Sequence, residues 1–194
     1  MEEITNNEML FILSIFKNPE VDYNANSMAK HLGISSMGSL KIAKRLEKED
    51  IIIPRELGKA RFFKLDFKNS YVRQYIGFLL KREAEKASAY VKRWVIELKK
   101  IKCADVVVLF GSILKKQNEA NDVDILLITD KKKFPRLKKE IEEINSLNIK
   151  KLHPLYQTED DLRENIKKGD KPILNALKGV VVFGEDKMIN LLEK

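Results

Sequence analysis

Cysteine occurs once, at Cys103, so no internal disulfide can staple this chain. A reducing, cytoplasmic setting is the expectation, with stability drawn from packing. Histidine occurs twice, at His31 and His153. Two histidines so far apart in sequence, with one cysteine, argue against a zinc site. No apolar run approaches the roughly eighteen residues of a membrane span, and Met1-Glu2-Glu3 opens no signal peptide. Internal repeats and low-complexity linkers are absent too, so domain boundaries are expected inside helical connections. Charge, by contrast, is plentiful. Charged residues make up 34% of the 194, and the net charge is +8. The surplus is concentrated in residues 69–102, with 9 basic against 3 acidic side chains, while the flanking segments are almost balanced. A positive band of this kind serves either as a phosphate contact or as a solvated helix face.

The most informative stretch is Gly111-Ser112, nine residues, then Asp122-Val123-Asp124. The apolar run Val106–Phe110 leads into the Gly-Ser, and Ile125–Ile128 leaves the aspartates. Side chains alternate along a strand, so residues two apart share a face at about 7 Å along the chain. Asp122 and Asp124 then present two carboxylates together, with Val123 turned into the core. Such hard oxygen ligands suit magnesium, which prefers carboxylates plus substrate phosphates. Two such ions sit about 4 Å apart in phosphoryl-transfer sites. A glycine at the strand end lets phosphate oxygens approach backbone N–H groups, and Ser112 adds a hydroxyl donor.

This pattern resembles the signature of the DNA polymerase β-like nucleotidyltransferase superfamily, particularly its minimal nucleotidyltransferase domains. The resemblance covers about residues 101–194. It implies that Asp122 and Asp124 are catalytic metal ligands for Mg2+ and that Gly111, Ser112, Lys115 and Lys116 hold a nucleoside triphosphate. Members often read GSxARGxAxxxSDxD. Here the spacer is one residue shorter, Lys115 stands for the arginine, Lys116 takes the glycine position, and Asn121 precedes Asp122. Active members carry a third carboxylate on a later strand, yet the next strand candidate, 149–156, contains no Asp or Glu. Glu159, Asp160 and Asp161 read as the first turn of a helix behind the N-cap Thr158. Either another residue completes the site, or catalysis is weak or lost.

The N-terminal third reads as a helix over 6–18, then Asn26 capping a short helix closed by Gly33. Ser35 or Ser36 caps a longer helix to about Glu49, with Leu40, Ile42, Ala43 and Leu46 as core candidates. Two helices on a tight glycine turn make a helix-turn-helix unit. Ile51–Ile53 and Arg61–Leu65 read as strands around a turn at 56–60. The segments 28–35, 45–48 and 62–65 resemble the winged helix-turn-helix of archaeal and bacterial transcription regulators. That likeness implies double-stranded DNA as a partner. Ser36, Met37, Ser39 and Lys41 would approach bases, and Lys44, Lys48, Lys59 and Arg61 would bind phosphate or the minor groove.

Residues 70–102 carry no proline, and Tyr71, Tyr75, Phe78, Leu79, Ala87, Tyr90, Val91, Trp94, Val95 and Leu98 recur at helical spacing. Such a stripe packs either on the chain's own domains or on a second copy, and a homodimer through 70–102 is the favoured expectation. The fold class is thus α+β. A winged helix-turn-helix (1–68) is followed by a long connecting helix (69–102) and a small mixed-sheet nucleotidyltransferase fold (103–194). Strands are expected near 104–110, 122–129, 149–157 and 179–183. Helices are expected near 132–146, 158–168, 171–178 and 186–193. Two functions fit this organisation. One is a DNA-binding enzyme transferring a nucleotidyl group to an unknown acceptor with magnesium. The other is a transcription regulator whose transferase domain is a weak or inactive nucleotide sensor.

Overall fold

The computed structural model describes residues 4–58 and 60–193. The chain forms two compact units, one running to Leu79 and regaining the chain from Leu192, the other spanning Leu80–Leu191.

The first unit begins with α1 (Asn6–Lys17). Thr5 accepts from the Glu8 N–H and the Glu8 carboxylate accepts from the Thr5 N–H, which satisfies two otherwise orphaned donors. A short strand, β1 (Tyr23–Asn24), precedes α2 (Ala25–Leu32). The cap of α2 is Asn24 rather than the expected Asn26, because Asn24 and Ser27 bond reciprocally at 2.9 Å. Gly33 closes α2 in the left-handed region at φ 67°, a conformation that favours glycine. After it α3 (Ser36–Lys48) starts on the Ser35 cap. Arg45 on α3 pairs at 2.8 Å with Glu8, itself buried on α1.

Antiparallel strands β2 (Ile52–Leu57) and β3 (Ala60–Leu65) follow, giving a sheet of order β1-β3-β2. Glu56 and Leu57, expected in the turn, belong to β2, and Ala60 to β3, since Leu57 pairs with Ala60. Pro54 is tolerated because β2 is an edge strand. Phe11, Ile12, Met28, Ala43, Leu46, Ile52 and Phe63 form the buried interior. Leu40 and Ile42, expected there too, are half-buried.

The segment after the hairpin is two helices, not one. The first, α4 (Ser70–Lys86), ends before Ser88, whose hydroxyl caps α5 (Ala89–Leu98) by accepting from Val91 N–H at 3.3 Å. The part of the apolar stripe on α5 is consumed within the second unit, where Val91, Trp94, Val95 and Leu98 join one core with Val107, Leu109, Ile125 and Leu127. These four side chains therefore cannot serve a second copy. Of the stripe on α4, Tyr71 and Phe78 are exposed.

The second unit is built on four strands: β4 (Val106–Phe110), β5 (Val123–Ile128), β6 (Leu152–Gln157) and β7 (Val180–Phe183). Their order is β6-β5-β4-β7, with β4 antiparallel to both neighbours and β5 parallel to β6. A short helix, α6 (Ile113–Lys116), and a single 3-10 turn at Gln117–Glu119 fill the loop between β4 and β5. Helix α7 (Phe134–Leu147) joins β5 to β6, the connection a parallel pair requires. Helices α8 (Glu159–Lys168) and α9 (Lys171–Leu177) lead to β7, and α10 (Glu185–Leu192) ends the fold.

Alternation along the strands sorts the core. Val107, Leu109, Val123, Ile125 and Leu127 pack with α5 and α7, which contributes Leu137, Ile141 and Ile144. Val106, Val108, Leu126 and Ile128 are equally buried but lie on the opposite face, and α9 packs on β4 and β5. Among the described residues no helix is long and apolar enough to cross a membrane.

Candidate functional site

Gly111 follows the last residue of β4 and is held at φ +81°. A Cβ there would lie 2.0 Å from Oδ2 of Asp124, so the space a side chain would need is occupied by that carboxylate. Only glycine meets both conditions. The register explains the closeness, since Phe110 pairs with Asp124 across β4 and β5. Val123 is fully buried, and Asp122 and Asp124 on either side of it are half-buried. Ser112 follows Gly111, and its hydroxyl makes no capping bond to α6. Lys115 and Lys116 are exposed on that helix.

Two residues outside the sequence motif shape the site. On the parallel neighbour β6, His153 stands opposite Asp124. Its Nδ1 lies 3.3 Å from Oδ2 of Asp122, with the imidazole 64% and the Asp122 side chain 35% exposed. One ligand atom from each of Asp122, Asp124 and His153 falls within 4.8 Å of the others. Two distant histidines argue against a zinc site but leave this arrangement untouched, because His153 groups here with two carboxylates as a candidate mixed donor set. The only available signal was that His153 alone carries a ligating side chain on its strand.

Lys150 is the second such residue. Its ammonium donates to the backbone oxygens of Asn118, at 2.8 Å, and Ala120. Together with the bond from Val123 N–H to Lys151 O at 3.0 Å, this ties the spacer before Asp122 to the start of β6.

Electrostatics follow from crowding. Burial pushes the Asp124 carboxyl above its ordinary value, the Asp122 charge pushes it further, and His153 opposes both. Glu159, Asp160 and Asp161 take no part. They occupy the first turn of α8, where Asp161 and Thr158 cap each other and those bonds hold the Asp161 carboxyl below its usual range.

Residues 95–183 match the family model of the nucleotidyltransferase domain. This segment is a nucleotidyltransferase domain. The nucleotidyltransferase match starts within α5, in keeping with the packing of that helix into the second unit. No curated protein matches the chain.

Solved structures with partial likeness are transcription regulators. MepR, a transcription regulator of the Staphylococcus aureus multidrug efflux pump MepA, is 14% identical with a TM-score of 0.37, covering 50% of this chain and 77% of its own. The adhesin competence repressor AdcR of Streptococcus pyogenes is 17% identical with a TM-score of 0.30, covering 51% and 79%. The winged-helix assignment rests on the chain's own α1–α3 and hairpin.

In that winged helix, Ser36 and Met37 are exposed at the start of α3, Met37 at 63%, and Lys41, Lys44 and Lys48 are exposed along it. Arg61, on β3, pairs with Glu47 of α3 at 2.8 Å. Lys59 lies outside the described residues. Ser39 does not belong with this set. It is fully buried on the inner face of α3, with no partner for its hydroxyl, so it cannot reach a base. Exposed serines and buried ones look alike in sequence, and Ser39 lies four residues before the buried Ala43.

Proposed function

We propose that the nucleotidyltransferase domain transfers a nucleotidyl group from a nucleoside triphosphate to an acceptor hydroxyl. The observation carrying this reading is the seat of Asp124 in the space beside Gly111, with Asp122 next to it. The donor set suits a divalent ion such as Mg2+, because two carboxylate oxygens converge beside Gly111, whose missing side chain makes room for one of them. When bound, such an ion neutralises phosphate charge and lowers the barrier to attack by the acceptor oxygen.

The chain's own residues supply the rest. The Ser112 hydroxyl, free of its helix, and the backbone beyond Gly111 orient the phosphates, with the exposed Lys115 and Lys116 as countercharges. Asp122 and Asp124 hold the reacting centre on one face of the sheet. The acceptor oxygen forms a bond to the α-phosphorus, the bond to the bridging oxygen of pyrophosphate breaks, and the acceptor proton moves to a carboxylate oxygen of the pair. The winged helix binds double-stranded DNA, with Ser36, Met37 and Lys41 at base edges and Lys44, Lys48 and Arg61 at phosphates.

A second reading is a nucleotide sensor with little or no turnover. It is favoured by His153, which stands at the position opposite Asp124 where no carboxylate is found. Incubating purified protein with labelled nucleoside triphosphates and Mg2+ separates the two. Transfer abolished by Asp122→Ala with Asp124→Ala supports the enzyme. Nucleotide binding that alters DNA affinity without transfer supports the sensor, and neither binding nor transfer removes both.

A further inference from the structure

The mixed donor set has a consequence for which ion the site prefers. Magnesium is a hard ion held by oxygen ligands, and it gains little from an imidazole. Manganese shares magnesium's preference for oxygen ligands but, as the first member of the transition series, accepts an imidazole nitrogen beside them better than magnesium does, and the later first-row divalent ions accept one readily. Four observations bear on His153. It is fixed to the site by the β5–β6 ladder, where it pairs with Asp124. Its Nδ1 sits 3.3 Å from an Asp122 oxygen. Two ligand atoms each about 2.1 Å from one ion lie about 3.0 Å apart at right angles and about 3.4 Å apart at tetrahedral angles. The observed separation matches the edge of such a coordination sphere. The three donor atoms also lie close enough together to share one ion after small side-chain rotations. Finally, Val123 is buried in the core beneath and Lys150 anchors the adjoining loop, so the donor positions are supported from both strands.

We propose that His153 is the third protein ligand of the metal in this site, and that the Asp122–Asp124–His153 set selects a first-row transition ion, represented by Mn2+, over Mg2+. The proposal rests on the assignment of the aspartate pair as metal ligands. It adds that the residue in place of a further carboxylate is functional, and that it retunes the site instead of disabling it. A nitrogen ligand also removes one negative charge from the set, leaving the centre more positive towards a triphosphate than three carboxylates would.

The test uses the full chain with Mn2+ alone, read by electron paramagnetic resonance, and Mg2+ as competitor. In the natural protein, bound Mn2+ should show electron spin-echo modulation from a coordinated imidazole 14N and resist displacement by Mg2+. His153→Ala should remove the modulation and weaken Mn2+ by about tenfold or more, the usual cost of a lost metal-site partner. His153→Asp should restore binding without the nitrogen signal and bring the Mn2+ to Mg2+ preference down by about tenfold. Tryptophan fluorescence checks that both variants fold. Mn2+ that binds through Asp122 and Asp124 without nitrogen modulation, or an ion preference unchanged in His153→Asp, overturns the histidine assignment and leaves the aspartate pair standing. Failure of the natural protein to bind either ion overturns the aspartate assignment along with it.

Discussion

Gly111, Asp124 and Ser39 each make a separate demand on the physics of a single side chain. Gly111→Ala places a methyl group on a carboxylate oxygen and forces a left-handed backbone on a residue with a Cβ, which alone costs about 1–2 kcal/mol. The expected outcome is a urea midpoint lowered accordingly, with metal binding lost because Asp124 must move. Asp124 is raised by burial and by Asp122. A carboxyl whose folded value is raised contributes stability at low pH and loses it as pH rises through that value. At neutral pH the apo protein therefore carries a strained charge. Asp124→Asn should raise its melting temperature at pH 7, with the gain vanishing in acid, while metal binding falls. Thermal melts at pH 4 and pH 7 check both directions. Ser39→Ala removes a buried hydroxyl that has no partner, so stability should stay equal or improve by up to about 1 kcal/mol and DNA affinity should not change.

At the scale of elements, α3 gives a test that does not depend on the metal. If Lys44 and Lys48 contact phosphates, replacing both by Ala lowers the slope of log affinity against log salt by about two on any duplex, measured by fluorescence anisotropy. The elements themselves were largely legible. Each of the four strands of the second unit falls inside its expected range, and the expected helices 132–146, 158–168 and 171–178 correspond to α7, α8 and α9, because strict alternation and clear caps mark them. Three features were hidden for physical reasons. The break at Ser88 has no glycine or proline to announce it, and the apolar stripe continues across it. The true cap of α2 depends on a reciprocal bond between Asn24 and Ser27, which an asparagine two residues later mimics in sequence. His153 reaches the site only through the pairing of β6 with β5, and pairing partners cannot be read along one strand. By contrast, the nearness of Asp122 and Asp124 to each other and to Gly111 was visible because their spacing is local.

For the molecule as a whole, the two units carry different reporters. Trp94 is the only tryptophan and lies in the core of the second unit. Its fluorescence therefore follows unfolding of the nucleotidyltransferase unit. Mn2+ with a nucleoside triphosphate at about a hundred times the dissociation constant should stabilise that transition by about 2.7 kcal/mol, and Asp122→Ala with Asp124→Ala should cancel the shift. The first unit reports through Tyr75. Burial, chiefly, and the neighbouring Tyr71 and Glu8 push its phenol up to about 12. The stability it lends is complete below pH 10 and drains away as pH climbs towards 12. Tyr75→Phe should flatten the alkaline limb of unfolding of that unit, followed by circular dichroism.

The parallel alignment of β5 with β6 carries one last implication. Sliding β6 by a single position would set Leu152 or Pro154 across from Asp124 and turn the imidazole to the opposite side of the sheet. With His153 as the proposed ligand, faithful strand alignment and the chemical make-up of the ion cage are therefore one property. A misaligned chain would announce itself not by a lost fold but by a centre that no longer holds nitrogen.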